Sequence, residues 1–265
     1  MTLNEPRIMG VINVTPDSFY SGSRNLSIGG VLKMAEAMIR EGADILDIGG
    51  YSSRPGAAGI SEQEESSRVI PAIKAISNHF PDAVLSIDTF RSHIALEAVN
   101  QGASIVNDIS GGLLDPGMVE TSASLKVPYI VMHMKGTPET MKNLTQYDHL
   151  INDICFYFSE RINQAHSKGI ADLILDPGIG FAKSIEQNFE ILKNLPYFHI
   201  FSLPLLLGIS RKSLIYKTLN IEPEDALNGT TILNTLALLH KVSVLRVHDV
   251  KEAVELRKLM KIYFR

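Results

Sequence analysis

Cysteine is almost absent from this chain, which has 265 residues and a single cysteine, Cys155. One cysteine excludes an intrachain disulfide and a cysteine metal site, and it fits a reducing cytoplasm, the location we expect. Apolar runs are short, and none approaches the about 18 residues of a membrane-spanning helix. The stretch from Met1 to Pro6 is polar, so we also expect no secretion signal.

An excess of basic charge is absent as well. The chain carries 25 Lys and Arg residues against 29 Asp and Glu residues, which gives a net charge of −4. This balance argues against broad nucleic-acid binding, so neither nucleic acid nor a membrane is an expected partner. The hydrophobic fraction of 45% is enough for a packed core, and a disordered chain is therefore excluded.

Short β-branched segments alternate with amphipathic segments along the chain, and they predict eight strands, each followed by a helix. The predicted strands are Arg7–Asn13, Asp44–Gly49, Ala83–Asp88, Ser104–Asp108, Val127–His133, Asp172–Asp176, Pro204–Ile209 and Ser243–His248. The predicted helices include Ile28–Arg40, one that Ser61 and Glu64 begin with a capping box, Ser92–Gln101, His149–Ser167, Ile185–Asn194, Arg211–Leu219, Asp225–His240 and Val250–Ile262.

The strand count and the strand composition indicate the fold class. Division of 265 residues by eight gives about 33, close to the ~30 residues of one strand and one helix. The apolar strands suit a parallel sheet covered by helices. We therefore predict an α/β fold, a single (β/α)8 TIM barrel over residues 1–265, rather than an open doubly wound sheet.

Polar side chains lie where the predicted strands end, and in a barrel those C-terminal ends build the active site. Carboxylates and amides follow the middle strands, whereas cations follow strands seven and eight, a corner that often binds phosphate. The pattern predicts a heterocycle or polyol on one side and a phosphate group on the other. The residues are Asn13, Asp47, Asp88, Asn107, Asp108, His133, Asp176, Ser210–Lys212, Arg246 and His248.

Each of these residues also has a structural interpretation. An Asp at a strand end often caps the next helix or begins a turn, and this stays open for Asp88 and Asp176. Arg246 and His248 could be solvated or paired with Asp249. We expect His133 to be a satisfied structural residue. Cys155 is expected to belong to the core.

Two loops that follow the first two strands are rich in Gly, Pro and small polar residues. They are Asn13–Phe19 and Tyr51–Gly59. Few apolar side chains tie such loops down, so we expect lids that close over a substrate, with ordinary surface loops as the alternative.

Eight segments at these strand ends resemble, in order, the motifs of the dihydropteroate synthase family. They extend from Met9 to Val250, nearly the whole chain. A single motif of this kind is weak evidence, but eight in the order of the family are specific. The segments are Met9–Phe19 (MGVINVTPDSF), Asp47–Gly56 (DIGGYSSRPG), Ser86–Thr89 (SIDT), Asn107–Gly112 (NDISGG), Met132–Gly136 (MHMKG), Asp176–Lys183 (DPGIGFAK), Gly208–Ser213 (GISRKS) and Arg246–Val250 (RVHDV).

The resemblance implies the reaction of that family, in which p-aminobenzoate is joined to 6-hydroxymethyl-7,8-dihydropterin diphosphate. The products are diphosphate and 7,8-dihydropteroate, an intermediate of folate biosynthesis. The resemblance also implies Mg²⁺ as the cofactor, a dissociative displacement, competition between sulfonamides and p-aminobenzoate, and a homodimer.

Residue-by-residue matching implies the roles of the site. The family's pterin-binding positions fall on Asp88, Asn107, Asp176 and Lys212. The diphosphate positions fall on Asn13, Arg246 and His248, with Asn13 as the Mg²⁺ ligand. The p-aminobenzoate pocket is assigned to Phe19, Ser53, Arg54, Pro55, Phe181, Lys212 and Ser213, and the catalytic positions are Lys212, Arg246, His248 and Arg54.

The chain departs from the family pattern in its loops. Ser21 stands where the family has a carboxylate, Tyr51 replaces a Glu, Ser53 replaces a Thr and Ala182 replaces a Gly. These departures bear on loop closure and on sulfonamide affinity. The four pterin-binding positions are intact.

Two other functions are weighed against this one. A pterin-dependent methyltransferase would not need Arg54–Gly56, Ser210–Lys212 or a diphosphate site, and all three are present. A decayed relative that only binds pterin, or serves as a partner subunit, would be marked by the loss of Lys212, Arg246 or His248, and none of these is lost.

Overall fold

A computed structural model describes residues 5–15, 27–52 and 59–264 of the chain. The strands are β1 (Arg7–Asn13), β2 (Ile45–Gly49), β3 (Val84–Asp88), β4 (Ile105–Asp108), β5 (Tyr129–Met132), β6 (Leu173–Asp176), β7 (Leu206–Leu207) and β8 (Val244–Val247). The α-helices are α1 (Ile28–Glu41), α2 (Glu62–His79), α3 (Ser92–Asn100), α4 (Met118–Leu125), α5 (Leu150–Ser167), α6 (Ile185–Lys193), α7 (Ser213–Leu219), α8 (Leu227–Leu239) and α9 (Val250–Tyr263).

The strands form one parallel sheet that closes on itself. Their order is β6-β5-β4-β3-β2-β1-β8-β7, and every pair in that order is parallel. A parallel bridge between Leu175 and Leu205 joins the two ends, and the Leu175 amide donates to the Pro204 carbonyl oxygen at 2.9 Å. The predicted (β/α)8 barrel is thereby confirmed.

The inside of the barrel is apolar at the bottom and polar above. Side chains alternate between the two faces of a strand, so residues two apart point into the same space. Ile45 lies in the apolar bottom layer, and Asp47, two residues on, therefore also points inward. The bottom layer consists of Met9, Ile45, Ile105, Ile130, Ile174, Leu206 and Val244. By the same alternation, the polar layer above it consists of Asp47, Ser86, Asp88, Asn107, Asp176 and Arg246.

Several boundaries differ from the sequence-based prediction. α4 is the helix expected after the fourth strand, for which the sequence-based prediction gave no bounds. The Ser61 hydroxyl caps α2 as predicted, but the Glu64 carboxylate bonds to Arg68 at 2.5 Å instead of completing a capping box. A complete capping box forms at Ser184 and Gln187, where α6 begins.

Within the described ranges, no helix combines the length and the apolar composition that a membrane span requires. The longest helices, α2 and α5, have 18 residues each and bury one face against the barrel.

Asp44 connects three parts of the chain at the N-terminal end of the barrel. Its carboxylate accepts from Arg7 at 3.1 Å, from the Ile8 amide at 2.8 Å and from Arg257 on α9. These side chains are largely buried, so the removal of the carboxylate charge takes an ion-pair partner from each of the two guanidinium groups.

We expect Asp44→Asn to lower the free energy of unfolding by about 1–3 kcal/mol, because a partly buried ion-pair network loses the carboxylate that joins its two guanidinium groups. Urea unfolding at pH 7 measures this. The control is Asp82→Asn, which changes an exposed carboxylate in the same surface groove and should leave stability unchanged. Equal stability of the two variants would contradict the assignment.

Candidate active site

Two carboxylates share one guanidinium in the polar layer. Arg246 on β8 donates from Nε to Asp47 Oδ2 at 2.6 Å and from one Nη to Asp88 Oδ2, also at 2.6 Å. Asp47 is fully buried, and 16% of the Asp88 side chain is exposed. When both carboxylates are ionised, two anions around one cation leave an excess negative charge in a desolvated space, which favours a positively charged ligand.

The neighbours of Asp47 extend this network. Asn107 Nδ2 donates to Asp47 Oδ2 at 3.1 Å, whereas Asp47 Oδ1 and Ser86 Oγ are buried without a hydrogen-bond partner among the described residues. Burial raises the pKa of Asp88, Arg246 opposes that shift, and the Asp47 charge adds to it. The Asp88 carboxylate is therefore easier to protonate than an exposed one.

Asp176 and Lys212 face each other from the ends of β6 and β7. Asp176 Oδ1 accepts from the Gly178 amide at 2.8 Å, so the carboxylate does begin a turn, with one of its two oxygens. Lys212 Nζ donates to the Ile179 carbonyl oxygen at 2.5 Å and lies 4.7 Å from the centre of the Phe181 ring. Burial lowers the pKa of Lys212 to about 8, and Asp176 opposes that shift.

The cationic corner is organised differently from the sequence-based alternative. Asp249 pairs with Arg211, whose Nη2 lies 2.8 Å from Asp249 Oδ1, and not with Arg246. Arg211 has a positive φ of 54°, and its guanidinium donates to Asp249 and to the carbonyl oxygens of Pro223 and Glu224. His248 is exposed, and its Nδ1 lies 3.2 Å from Ser210 Oγ.

The remaining described positions lie around the same mouth. Asn13 ends β1 beside Gly49, and Ser213 begins α7 next to Lys212. Asp108, by contrast, accepts from the amides of Ser110 and Gly112 and from the Tyr129 hydroxyl, so it holds a turn.

A family model described as "Pterin binding enzyme" matches residues 9–248, which is most of the chain. The chain belongs to the pterin-binding enzyme family. The residues that this family match spans include the whole polar layer and the cationic corner.

Similar proteins include several dihydropteroate synthases. The enzyme of Escherichia coli (strain K12) is 42% identical over 262 residues, which cover 98% of this chain and 92% of the relative. The crystal structure of Yersinia pestis dihydropteroate synthase with a sulfonamide drug matches with a TM-score of 0.95 and 39% identity, over 100% of this chain and 96% of that chain. A structure of the Xanthomonas albilineans enzyme with 4-aminobenzoic acid has a TM-score of 0.93 at 36% identity, with coverage of 100% and 95%.

Not every predicted site residue of this pterin-binding enzyme can be placed. Phe19, Ser53, Arg54 and Pro55 lie outside the described residues, as do Ser21 and most of the two predicted lids. Tyr51 is described: its hydroxyl donates to Glu139 at 2.7 Å. The family departure at this position therefore links the loop after β2 to the segment after β5.

Sequence reasoning gave no role to three partners of the site. Asp47 was predicted to lie among the strand-end residues of the site but was given no individual role, although its place two residues after the inward-pointing Ile45 signals an interior charge. Fully buried Glu65 accepts from Thr89 at 2.7 Å and from Arg91 at 2.5 Å, and nothing in the sequence pattern distinguishes it from other helix carboxylates. Lys183, in the loop after β6, is the third.

His133 has the structural role expected of it. It is 3% exposed, its ring meets the Tyr157 ring edge-on with 4.9 Å between centroids, and Nδ1 lies 3.0 Å from Lys183 Nζ. Burial lowers the pKa of His133 far below its usual range, so the ring is neutral at pH 7.

We expect Asp47→Asn to lower the pKa of Asp88. The variant removes a like charge from the shared guanidinium and leaves Arg246 to Asp88 alone, and both changes favour the Asp88 carboxylate. A titration of side-chain carboxyl resonances by NMR measures this pKa, with the exposed-site variant Asp82→Asn as control. An unchanged or raised Asp88 pKa in Asp47→Asn would contradict the shared-cation geometry.

Proposed function

We propose that the polar layer of this transferase binds 6-hydroxymethyl-7,8-dihydropterin diphosphate and that p-aminobenzoate displaces the diphosphate at the barrel mouth. The chain is an enzyme of the dihydropteroate synthase class. The observation that carries the assignment of the site is the juxtaposition of Asp176, Lys212 and the Asp47–Arg246–Asp88 network at one end of the barrel.

Recognition of the pterin ring follows from its edge chemistry. A pterin presents adjacent N–H donors, which a carboxylate such as Asp176 accepts in pairs. Asn107 both donates and accepts, so it suits the neighbouring ring edge. The Lys212 ammonium donates to the ring carbonyl. All three groups are buried or half-buried, and hydrogen bonds made in such a space discriminate strongly against a ligand that lacks the matching group.

The reaction requires charge stabilisation more than proton transfer. The bond from the pterin methylene carbon to the diphosphate oxygen breaks, the electron pair leaves with diphosphate, and a resonance-stabilised cation remains on the pterin. The arylamine nitrogen, neutral at pH 7, then attacks the methylene carbon and loses a proton. The excess negative charge of Asp47 and Asp88 favours the cationic ring, and Arg246 and His248 stabilise the leaving anion.

The donor set is compatible with Mg²⁺ bound mainly through substrate oxygens. Among residues 5–15, 27–52 and 59–264, no group of three or more His, Cys, Asp or Glu residues could enclose a metal ion. Mg²⁺ commonly takes one or two protein ligands together with phosphate oxygens, and the amide oxygen of Asn13 is a suitable ligand of that kind. Mg²⁺ bound there would neutralise part of the diphosphate charge.

The p-aminobenzoate pocket is proposed to lie above the pterin. Phe181 and Ser213 flank Lys212 at the described side of the mouth, and the Phe181 ring is 9% exposed. Phe19, Ser53, Arg54 and Pro55 are proposed to complete the pocket from the two loops. Sulfonamides would compete for this pocket, as would be expected from the ligands named for the Yersinia pestis and Xanthomonas albilineans structures.

The proposal also includes a homodimer and a cytoplasmic location. An apolar stripe on α8 supports the dimer: Ile232, Leu236 and Leu239 repeat at helical spacing and are 52%, 42% and 39% exposed. Such a stripe on an outer helix is self-complementary across a two-fold axis.

The central experiment is a coupling assay with purified protein, Mg²⁺ and both substrates. Dihydropteroate and diphosphate should form, and removal of Mg²⁺ with EDTA should slow the reaction. Lys212→Ala and Asp176→Ala should each lower kcat/KM at least ~100-fold, a loss of ~2.7 kcal/mol of transition-state stabilisation. Lys217→Ala, an exposed lysine on the same helix as Ser213, is the control and should keep wild-type values.

Three results of this assay would contradict the proposal. Binding of both substrates without product would indicate a decayed relative. Transfer of a methyl group without any need for the diphosphate would indicate the methyltransferase. Near-wild-type kcat/KM in either alanine variant would remove the role given to that residue.

Deprotonation of Lys212 should produce an alkaline limb in the pH profile of kcat/KM. Because its buried ammonium has a pKa of about 8 and the neutral amine donates more weakly, kcat/KM should fall as pH rises through about 8. Lys212→Arg stays charged throughout, so its smaller kcat/KM should lack this limb. Steady-state kinetics from pH 6 to 10 tests this, and an identical alkaline limb in the arginine variant would assign it to another group.

The dimer is tested by light scattering after gel filtration. We expect about twice the chain mass of 29.2 kDa for the wild type and a monomer for Leu236→Glu, because a buried charge opposes association across the stripe. Phe156→Glu, on α5, should leave the dimer intact. A monomeric wild type, or a dimeric Leu236→Glu, would contradict the interface.

A further inference from the structure

The loop that follows β6 directs its carbonyl oxygens to two lysines. Ile179 O accepts from Lys212 Nζ at 2.5 Å inside the site. On the other side of the loop, Gly178 O and Phe181 O accept from Lys183 Nζ at 3.0 and 2.9 Å. The same segment therefore contacts the active-site ammonium on one side and a second, buried ammonium on the other.

Lys183 is surrounded by acceptors. Besides the two loop carbonyls, its Nζ lies 3.3 Å from His133 O and 3.0 Å from His133 Nδ1. Because His133 is neutral, its Nδ1 can accept this bond while Nε2 carries the proton. An ammonium group supplies three donors and no lone pair, whereas a neutral amine would turn its lone pair toward one of these four acceptors. The four acceptors therefore favour the ammonium form over the neutral amine.

Other charges near Lys183 act on it in both directions. Burial lowers the pKa of Lys183, Asp176 raises it, and Lys212 and Lys135 lower it further.

The backbone of the loop after β6 is also constrained by its own conformation, independently of the Lys183 ammonium. φ is positive at every second residue, 70° at Gly178, 84° at Gly180 and 49° at Ala182. A Cβ atom placed on Gly178 would lie 2.1 Å from His133 O, so the loop rests directly on the end of β5. Without the ammonium, His133 O, Phe181 O and the His133 ring nitrogen would lose the Lys183 donor, and Gly178 O would keep the Phe181 amide at 3.1 Å.

We propose that Lys183 is a positioning residue for Lys212. Its ammonium clamps Gly178–Phe181 onto the end of β5, and this fixes the Ile179 carbonyl and the Phe181 ring that hold Lys212 in place. The proposal rests on the proposed function, in which Lys212 binds the pterin, but Lys183 itself contacts neither substrate nor the reacting atoms.

A double-mutant cycle tests whether Lys183 acts through Lys212. Lys183→Met fills nearly the same space without the charge, so it is the variant that folds most readily. It should lower kcat/KM at least ~10-fold in the wild-type background but less than ~3-fold in Lys212→Ala, because the group that it positions is already gone. Lys135→Ala, which removes a neighbouring lysine bonded to the Gln146 carbonyl, should change little in either background.

Chemical rescue tests the clamp itself. Lys183→Ala lacks a fragment equivalent to n-propylammonium, so that cation should restore at least ~5-fold of its kcat/KM in a saturable way. Tetramethylammonium at the same ionic strength is too large for the space and should restore nothing. Lys183→Met, whose side chain occupies the space, should not respond to either cation.

The outcomes separate this proposal from the proposed function. The wild type in the same buffers tests the dihydropteroate synthase reaction by itself. Equal losses from Lys183→Met in both backgrounds would overturn the positioning role, as would a folded Lys183→Ala that n-propylammonium does not restore. If Lys183→Ala does not fold, the cycle with Lys183→Met alone decides.

Discussion

One shared guanidinium determines the arrangement of the site. Arg246 spans Asp47 and Asp88 across the inside of the barrel, between strands that are 199 and 158 residues away from it along the chain. Charges in such a space are stable only when they are paired, and here one cation serves two anions. The surplus negative charge is what makes the space suitable for a ring that becomes cationic during a reaction.

The rest of the barrel places this negative charge at the C-terminal end of the strands. An apolar layer lies below it toward the N-terminal end of the barrel, and the charges lie on the side of the mouth. On the opposite side, Asp176 adds a third carboxylate, and the loop after β6 holds Lys212 against it. The site thus combines carboxylates and cations. Strand alternation points the strand residues into the barrel, and the loop after β6 completes the site by holding Lys212.

The sequence predicted the strands and the positions of the site residues better than it predicted the contacts between side chains. β1 lies at its predicted bounds, and Asp88, Asn107, Asp176 and Lys212 meet at one mouth because strand alternation and the barrel rule require it. The pairing of Asp249 with Arg211 could not be predicted, because it depends on the positive φ of Arg211. The acceptors around Lys183 are equally invisible in sequence, since three of the four are backbone carbonyl oxygens.

The account depends most directly on the claim that the pterin ring lies against the Asp176 carboxylate. Calorimetric titration with 6-hydroxymethylpterin, without turnover, measures this for the wild type and for Asp176→Asn. The variant keeps the shape of the side chain but places an N–H donor against the donor edge of the ring, so the account predicts a Kd at least ~100-fold higher. Equal affinity for the two proteins would contradict it and would place the ring elsewhere in the barrel.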